Sequence, residues 1–281
     1  MDEPDQDIIE TIRQDHSSGA AQLAVRALNL VEARMARQDI SRSRLDRLLS
    51  SLAKARPSMV PLANAVTRCR QQLADSRESA QAVVRSVREQ LENANRQVAG
   101  HATTLIPDGA RVLTHSRSSQ VLALFQRLAQ QGQPFSVICT QSAPGNEGFT
   151  LGEELDQLGV PVTLITDAQM GLFVDQADLI LCGCDTWLAD GHFINKSGSY
   201  LLALAAADRN RPFWVLADSF KDSDAGLRDT ELEEMTGDEL GAPAGQRITP
   251  RNIYFEPVPT RLIAGRVSEQ GVFSYPDGAR R

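Results

Sequence analysis

Residues 177–217 read ADLILCGCDTWLADGHFINKSGSYLLALAAADRNRPFWVLA. Ala177–Gly183 is a short apolar run with β-branched Ile180, the pattern of a strand buried on both faces. Tyr200–Ala207 is rich in Ala and Leu and apolar all round, which predicts a largely buried helix. Pro212–Ala217 repeats the strand pattern. Strand, loop, helix and strand make a βαβ unit, whose crossover is right-handed. Cys184 and Asp185 directly follow the first strand, and Asn195 and Lys196 precede the helix, with Gly198 and Ser199 in its first turn. Open α/β sheets bind ligands beyond the carboxyl ends of their strands. A helix N-terminus beside Lys196 suits an anion such as phosphate. Asp185 is then an ionisable group at the mouth of the crevice, or simply a turn former.

Working outward, strands and helices alternate: Arg111–His115, Ser119–Gln130, Phe135–Thr140, Gly152–Leu158, Val162–Thr166 and Met170–Val174. Such alternation predicts a parallel sheet covered by helices on both faces. Upstream, residues 5–105 carry helical periodicity and almost no strand signal. Ser17 or Ser18 is a cap for a helix to about Arg37, and Ser41 for one ending at Arg56-Pro57. A third helix is expected from about Val60 to Leu73. A fourth, from about Arg77 to Thr104, has a thin stripe (Val83, Val87, Leu91, Ala94, Val98) that suits a connector packed on one side. The expected fold is α/β: a helical N-terminal domain over residues 1–106, then a Rossmann-like parallel-sheet domain over 107–281. Residues 221–247 are acidic and rich in Gly and Pro, and read as a mobile surface insertion without a catalytic part. Asn252–Glu256 reads as a strand and Pro259–Gln270 as a final helix.

Composition narrows the function classes. A net charge of −7 and a pI near 5.2 argue against nucleic acid as the main partner. No apolar run approaches the roughly 18 residues of a membrane span, and the acidic MDEPDQDIIE start is not that of a signal peptide. Four cysteines (Cys69, Cys139, Cys182, Cys184) suggest reduced thiols and a cytoplasmic setting. Cys182 and Cys184 have only His192 nearby, so neither a metal nor another cofactor is expected.

GCDTWLADGHFINKSGSYLLALAA followed by PFWVLADSFK resembles the signature of one superfamily. Its members are the alpha, beta and delta subunits of eukaryotic initiation factor 2B, methylthioribose-1-phosphate isomerases and ribose-1,5-bisphosphate isomerases. SGAAQLAVRAL (18–28), ARPSMVPLANAV (55–66), THSRSSQV (114–121), VICTQSAP (137–144), LITDAQMG (164–171) and NIYFEPVP (252–259) extend the resemblance over nearly the whole chain. It implies a helical domain joined to a Rossmann-like domain, with assembly as a homodimer or a multiple of dimers. The apolar segment around Tyr254, Phe255, Val258 and Leu262 is a candidate dimer surface, or else closes its own subunit's sheet.

The resemblance also implies site residues. Cys139 and Asp185 match the catalytic cysteine and aspartate of the isomerases, and the initiation-factor subunits commonly lack one or both. By position both end strands, where a thiol and a carboxyl can exchange protons with a sugar. Taken alone, Cys139 is more simply a small buried hydrophobe. Arg56 matches the family's phosphate-binding arginine, and Gly19 and Ala20 its glycine-alanine pair at a helix start. Ser116, Arg117 and Ser118 follow the first strand, and Asn195 and Lys196 match the family's Asn-Lys. His16 and His115 are left outside the candidate set. Two departures stand out: Gln141-Ser142-Ala143-Pro144 replaces E-T-R-P or E-S-R-P, and SGAAQ replaces R-G-A-P-A. The expected ligand is a phosphorylated pentose or a nucleotide-like small molecule. The expected reaction is ribose 1,5-bisphosphate to ribulose 1,5-bisphosphate. The alternatives are methylthioribose-1-phosphate isomerisation and a non-catalytic regulatory subunit.

Overall fold

A computed structural model describes residues 3–15, 19–56, 59–75 and 78–275. Five helices come first: α1 (Glu3–Arg13), α2 (Ala20–Arg37), α3 (Arg42–Ala55), α4 (Val60–Asp75) and α5 (Ala80–Ala102). Side-chain caps start two of them, Ser41 accepting from the Arg44 N–H and Ser79 from the Ala82 N–H. The caps expected at Ser17 or Ser18, and a helix start at Arg77, fall outside the described residues. The leucine stripe Leu45, Leu48, Leu49 and Leu52 is fully buried, as its spacing requires.

Next come β1 (Ala110–Thr114), α6 (Ser119–Gln130), β2 (Phe135–Thr140), α7 (Glu147–Gln157), β3 (Val162–Ile165), α8 (Met170–Phe173), β4 (Leu179–Cys182), β5 (Thr186–Trp187), β6 (His192–Lys196), α9 (Ser199–Asp208) and β7 (Phe213–Leu216). After β7 come β8 (Glu234–Met235), β9 (Asn252–Ile253), β10 (Phe255–Pro259), β11 (Gly265–Ser268) and β12 (Gly271–Ser274). The main sheet has the order β12-β11-β7-β4-β1-β2-β3 and is parallel except for the final hairpin. Its pleat sends alternate residues to opposite faces. Val112, Val137 and Leu181 pack with Phe125 of α6 and Leu151 of α7. Leu113, Ile138 and Ile180 pack with Met170 of α8 and Leu202 of α9.

Two expectations need correction. The helix expected over 259–270 is a turn at Thr260–Leu262 followed by the β11–β12 hairpin, which extends the sheet beyond β7. The loop expected between Asp185 and Lys196 is a hairpin, β5 and β6, to which β10 adds a third strand. Helix α5 keeps its buried residues on one face, as expected of a connector, and along its length that face meets two cores. Val84, Val87 and Leu91 join the helical core, and Val98, Ala99 and Ala102 join the core under the sheet. The β10 pairing also settles what the segment around Tyr254 does within the chain. Val258 is fully buried in its own core and pairs with Phe193.

Candidate functional site

Gly183 directly follows strand β4, and a Cβ there would collide with the Ser118 side chain, so only glycine lets the chain pass α6 here. Asp185 follows, its N–H bonded to the Ile194 carbonyl at 2.9 Å. This opens a cleft of about 410 Å³ between the sheet edge and the helical region, a size proper to a small metabolite. Gly19, Ala20 and Arg56 reach it from the helical side, and Ser116, Arg117 and Ser118 from the loop after β1. Asp185, Asn195 and Lys196 line it from the hairpin side. Nine of the ten expected site residues therefore meet at one place.

The tenth, Cys139, does not. Its side chain lies with Val112 and Val137 in the core beneath α6 and is fully buried. Burial pushes its thiol up to about 12, the reverse of the tuning that proton transfer needs. Pleat parity explains the placement, because the next residue, Thr140, is the one that contacts the site's supporting network. Cys184 borders the cleft, but its side chain belongs to the core on the other face of the sheet, and burial also pushes its thiol up to about 12, against the opposing pull of Lys221. We expect Cys139→Ser to lower stability by about 1–3 kcal/mol through an unpaired hydroxyl in the core. Ligand binding should not change, as denaturant titration and calorimetry can check; weakened binding in a stably folded variant would restore Cys139 to the site.

Helices α2 and α6 present their N-termini to the cleft. Neither first turn is capped by its own N-cap side chain, at Gly19 for α2 or Ser118 for α6. Among the described residues the buried Ser118 Oγ has no hydrogen-bond partner. Uncapped N–H groups and the helix dipole together favour an anion at each position. The N-terminus of α9 behaves differently from expectation. The Gly198 and Tyr200 N–H groups both donate to Glu256 Oε1, at 2.7 and 2.8 Å, so an internal carboxylate already fills that place.

Lys196 is nearly buried, and its Nζ lies 2.8 Å from Glu147 Oε1 and 3.6 Å above the Tyr254 ring. The second Glu147 oxygen is buried and has no hydrogen-bond partner among the described residues. Asn195 donates to Ser199 Oγ at 2.7 Å, which fixes the turn into α9. Arg117 is held bidentately by Glu154 at 2.6 and 2.8 Å. It forms part of the wall between the cleft and a second groove of about 910 Å³ along α2, α5 and α6. Asp185 is only partly exposed, and among the described residues its carboxyl makes no hydrogen bond. Loss of hydration raises its pKa, against the pull of Lys221 and Lys196 and with help from Glu147 and Glu233.

Sequence reasoning missed several contributors. Lys221, assigned to a mobile insertion, is buried and donates to the Cys184 carbonyl. Glu233 and Met235 of the same segment also line the cleft. Their one legible signal was Lys221 itself, in the DSFK that follows β7. Buried His115 joins the loop after β1 to the turn before α9, Nε2 lying 2.8 Å from the Ser197 carbonyl and Nδ1 2.7 Å from Thr140 Oγ1. Nε2 donates to the carbonyl, and in the neutral ring Nδ1 accepts from the threonine hydroxyl. Burial lowers the histidine pKa accordingly. Thr140 Oγ1 lies 3.0 Å from Ser142 Oγ, which accepts the Ser116 N–H at 2.8 Å. Ser116 is held at φ 64°. The altered 141–144 segment is thus a support under Ser116: Asp167 takes the Ser142 and Ala143 N–H groups at 2.8 and 2.7 Å.

A parallel sheet with a charged cleft at its carboxyl edge, roofed by a helical region, defines the class of α/β proteins whose cleft lies beyond the strand ends. The model of the Initiation factor 2 subunit family matches residues 16–275, and the chain belongs to that family. It is 36% identical over 186 residues to a putative translation initiation factor eIF-2B subunit 2-like protein of Pyrococcus horikoshii, a match spanning 66% of each chain. It is 30% identical over 283 residues to the ribose 1,5-bisphosphate isomerase of Haloferax volcanii, covering 94% of this chain and 86% of that one. The crystal structure of Pyrococcus horikoshii translation initiation factor eIF-2B superposes with a TM-score of 0.82 at 28% identity, over 99% of this chain and all of that one. Relatives of this chain therefore include sugar-phosphate isomerases as well as proteins named for translation initiation.

Proposed function

We propose that the cleft binds a phosphorylated pentose and isomerises it from aldose to ketose, with ribose 1,5-bisphosphate to ribulose 1,5-bisphosphate as the preferred reaction. The observation that carries this is the pair of uncapped helix N-termini, α2 and α6, facing one cleft that also holds Asp185. Two anion subsites suit two phosphates, and Arg56 adds a planar fork of donors beside the first. Asp185 lines the same cleft, and among the described residues its carboxyl makes no hydrogen bond. A carboxyl of raised pKa can give its proton to the ring oxygen as the C1–O4 bond breaks. The resulting carboxylate can take the proton from C2, leaving an enol, and return it to C1 while the C2 hydroxyl proton passes back and the ketone forms. Atoms balance and Asp185 ends as it began. Lys196 and Lys221 lie near enough to bias its charge and can stabilise developing negative charge on the sugar oxygens. In this scheme one carboxyl does the work that the sequence divided between Asp185 and Cys139.

The placement of Cys139 favours a second reading: a non-catalytic subunit that binds a nucleotide or sugar phosphate and regulates a partner. Incubation with ribose 1,5-bisphosphate, then with methylthioribose 1-phosphate, in deuterated water separates the two. Turnover with label at C1 supports the enzyme; binding of either sugar with neither turnover nor label supports the regulator. Arg56→Ala should raise KM by about 10- to 100-fold with a smaller change in kcat, as for a contact made equally in ground and transition states. An unchanged KM would place Arg56 away from the phosphate. Self-association as a homodimer, or a multiple of one, belongs to the same proposal. Light scattering should give at least twice the 30.7 kDa chain mass.

A further inference from the structure

Lys196 and Arg117 both line the cleft, and they are held in different ways. Glu154 takes two nitrogens of Arg117, at 2.6 and 2.8 Å, and so occupies one edge of the guanidinium. Lys196 is 2% exposed, yet Glu147 Oε1 takes only one of its three N–H donors, at 2.8 Å, and among the described residues no other oxygen accepts from it. Its second neighbour is the face of the Tyr254 ring, with Nζ 3.6 Å from the ring centroid. A ring face attracts an ammonium through its quadrupole and offers no acceptor oxygen. The charge is thus held inside the protein while donors stay open to a ligand. The ring itself is fixed from several sides. Strand β10 pairs with β6 in the register Phe255 to Lys196, and the Tyr254 carbonyl accepts the Ser197 N–H at 2.9 Å. The ring stands edge-on to Phe255, 6.1 Å between centroids. A Cβ on Gly145 would come within 2.8 Å of the Tyr254 Oη and 2.6 Å of Glu147 Oε1, so the chain before α7 packs against both partners of Lys196. Burial, and then the Glu239 carboxylate, push the phenol up, so the ring stays neutral beside the ammonium.

We propose that Tyr254 is a positioning residue for the ligand: its ring holds the Lys196 ammonium in place and leaves N–H donors of that lysine for an anionic oxygen in the cleft. This rests on the reading that Lys196 meets the ligand. Tyr254 acts through the lysine and needs no contact with the ligand of its own. Without the ring, Glu147 alone holds the ammonium. Its second oxygen, which has no partner among the described residues, then draws the lysine into a two-oxygen contact. A lysine closed onto Glu147 in that way has fewer donors to give, and a ligand must pull it back before binding. The ring face performs this role, and the phenol hydroxyl has no part in it.

The test is calorimetric titration of wild type, Tyr254→Phe, Tyr254→Leu, Lys196→Met and the double variant Tyr254→Leu/Lys196→Met with ribose 1,5-bisphosphate. Melting temperatures establish that each is folded, and Tyr254→Met replaces Tyr254→Leu should the latter not fold. Tyr254→Leu should weaken binding by about 3- to 30-fold, the range of one cation–π contact. Tyr254→Phe keeps the ring face and should recover most of that loss. In the Lys196→Met background, Tyr254→Leu should cost less than about twofold, because the ring then has no ammonium to hold. A Tyr254→Leu protein that binds as wild type would overturn the inference. So would a Tyr254→Phe protein as weak as Tyr254→Leu, or a Tyr254→Leu loss that is the same with and without Lys196. The underlying reading fails in a different way, if Lys196→Met binds as wild type does or if wild type itself does not bind the sugar, and the role of Tyr254 falls with it.

Discussion

Asp185→Asn should abolish turnover, by at least about 10²-fold, and at the same time stabilise the folded protein at neutral and alkaline pH. Both effects come from one cause. Loss of hydration raises the Asp185 pKa in the folded chain above its unfolded value, so the folded state holds the proton to higher pH. The stability contributed by this group is fully present below the unfolded value near 3.9 and is lost as pH rises through the folded value. Asparagine has no such loss. The melting temperature of the variant should match wild type in acid and exceed it increasingly as pH rises. A gap that closes with rising pH would mean that Lys196 and Lys221 stabilise the carboxylate more than burial penalises it. A variant that keeps kcat but binds more weakly would reduce Asp185 to a ligand contact.

Lys221→Met should be the most damaging single change to the site. The ammonium is buried and hydrogen-bonded to the Cys184 carbonyl. It is the main charge offsetting the burial of Asp218, which is fully buried, and of Asp185. Removing it leaves two acids short of a cation, a change that typically destabilises by about 2–4 kcal/mol once the nearby Arg266 is allowed for. Both carboxyls should then titrate higher still, and the falling limb of the activity profile, where Asp185 loses the proton it gives to the ring oxygen, should move to higher pH. Turnover should fall by about 10²- to 10³-fold, as when one preorganised donor to a developing oxyanion is lost. Denaturant midpoints and a pH–rate profile check the three effects. A stable variant with an unmoved profile would remove Lys221 from the electrostatics of the cleft.

The alternation of the chain and the leucine spacing of its first hundred residues were enough to determine the class of fold. Buried parallel strands must read as apolar runs, and one-sided helices must read as stripes, whatever the neighbours. The strand ends then located the cleft, because chain order places Ser116, Asp185 and Lys196 at one edge of one sheet. What local pattern left open was decided by contacts between distant residues. Residues 259–270 carry no α-helix because β11 finds a parallel partner in β7 and an antiparallel one in β12. Pleat parity within β2 turned Cys139 into the core and left Thr140 to meet His115. The acidic segment looked like a solvated insertion, yet Lys221 and Glu233 reach the cleft from it, across 36 residues to Asp185 and 177 to Arg56. Periodicity records which face of an element is buried; it does not record which charges the folded chain brings together, and in this protein those charges make the site.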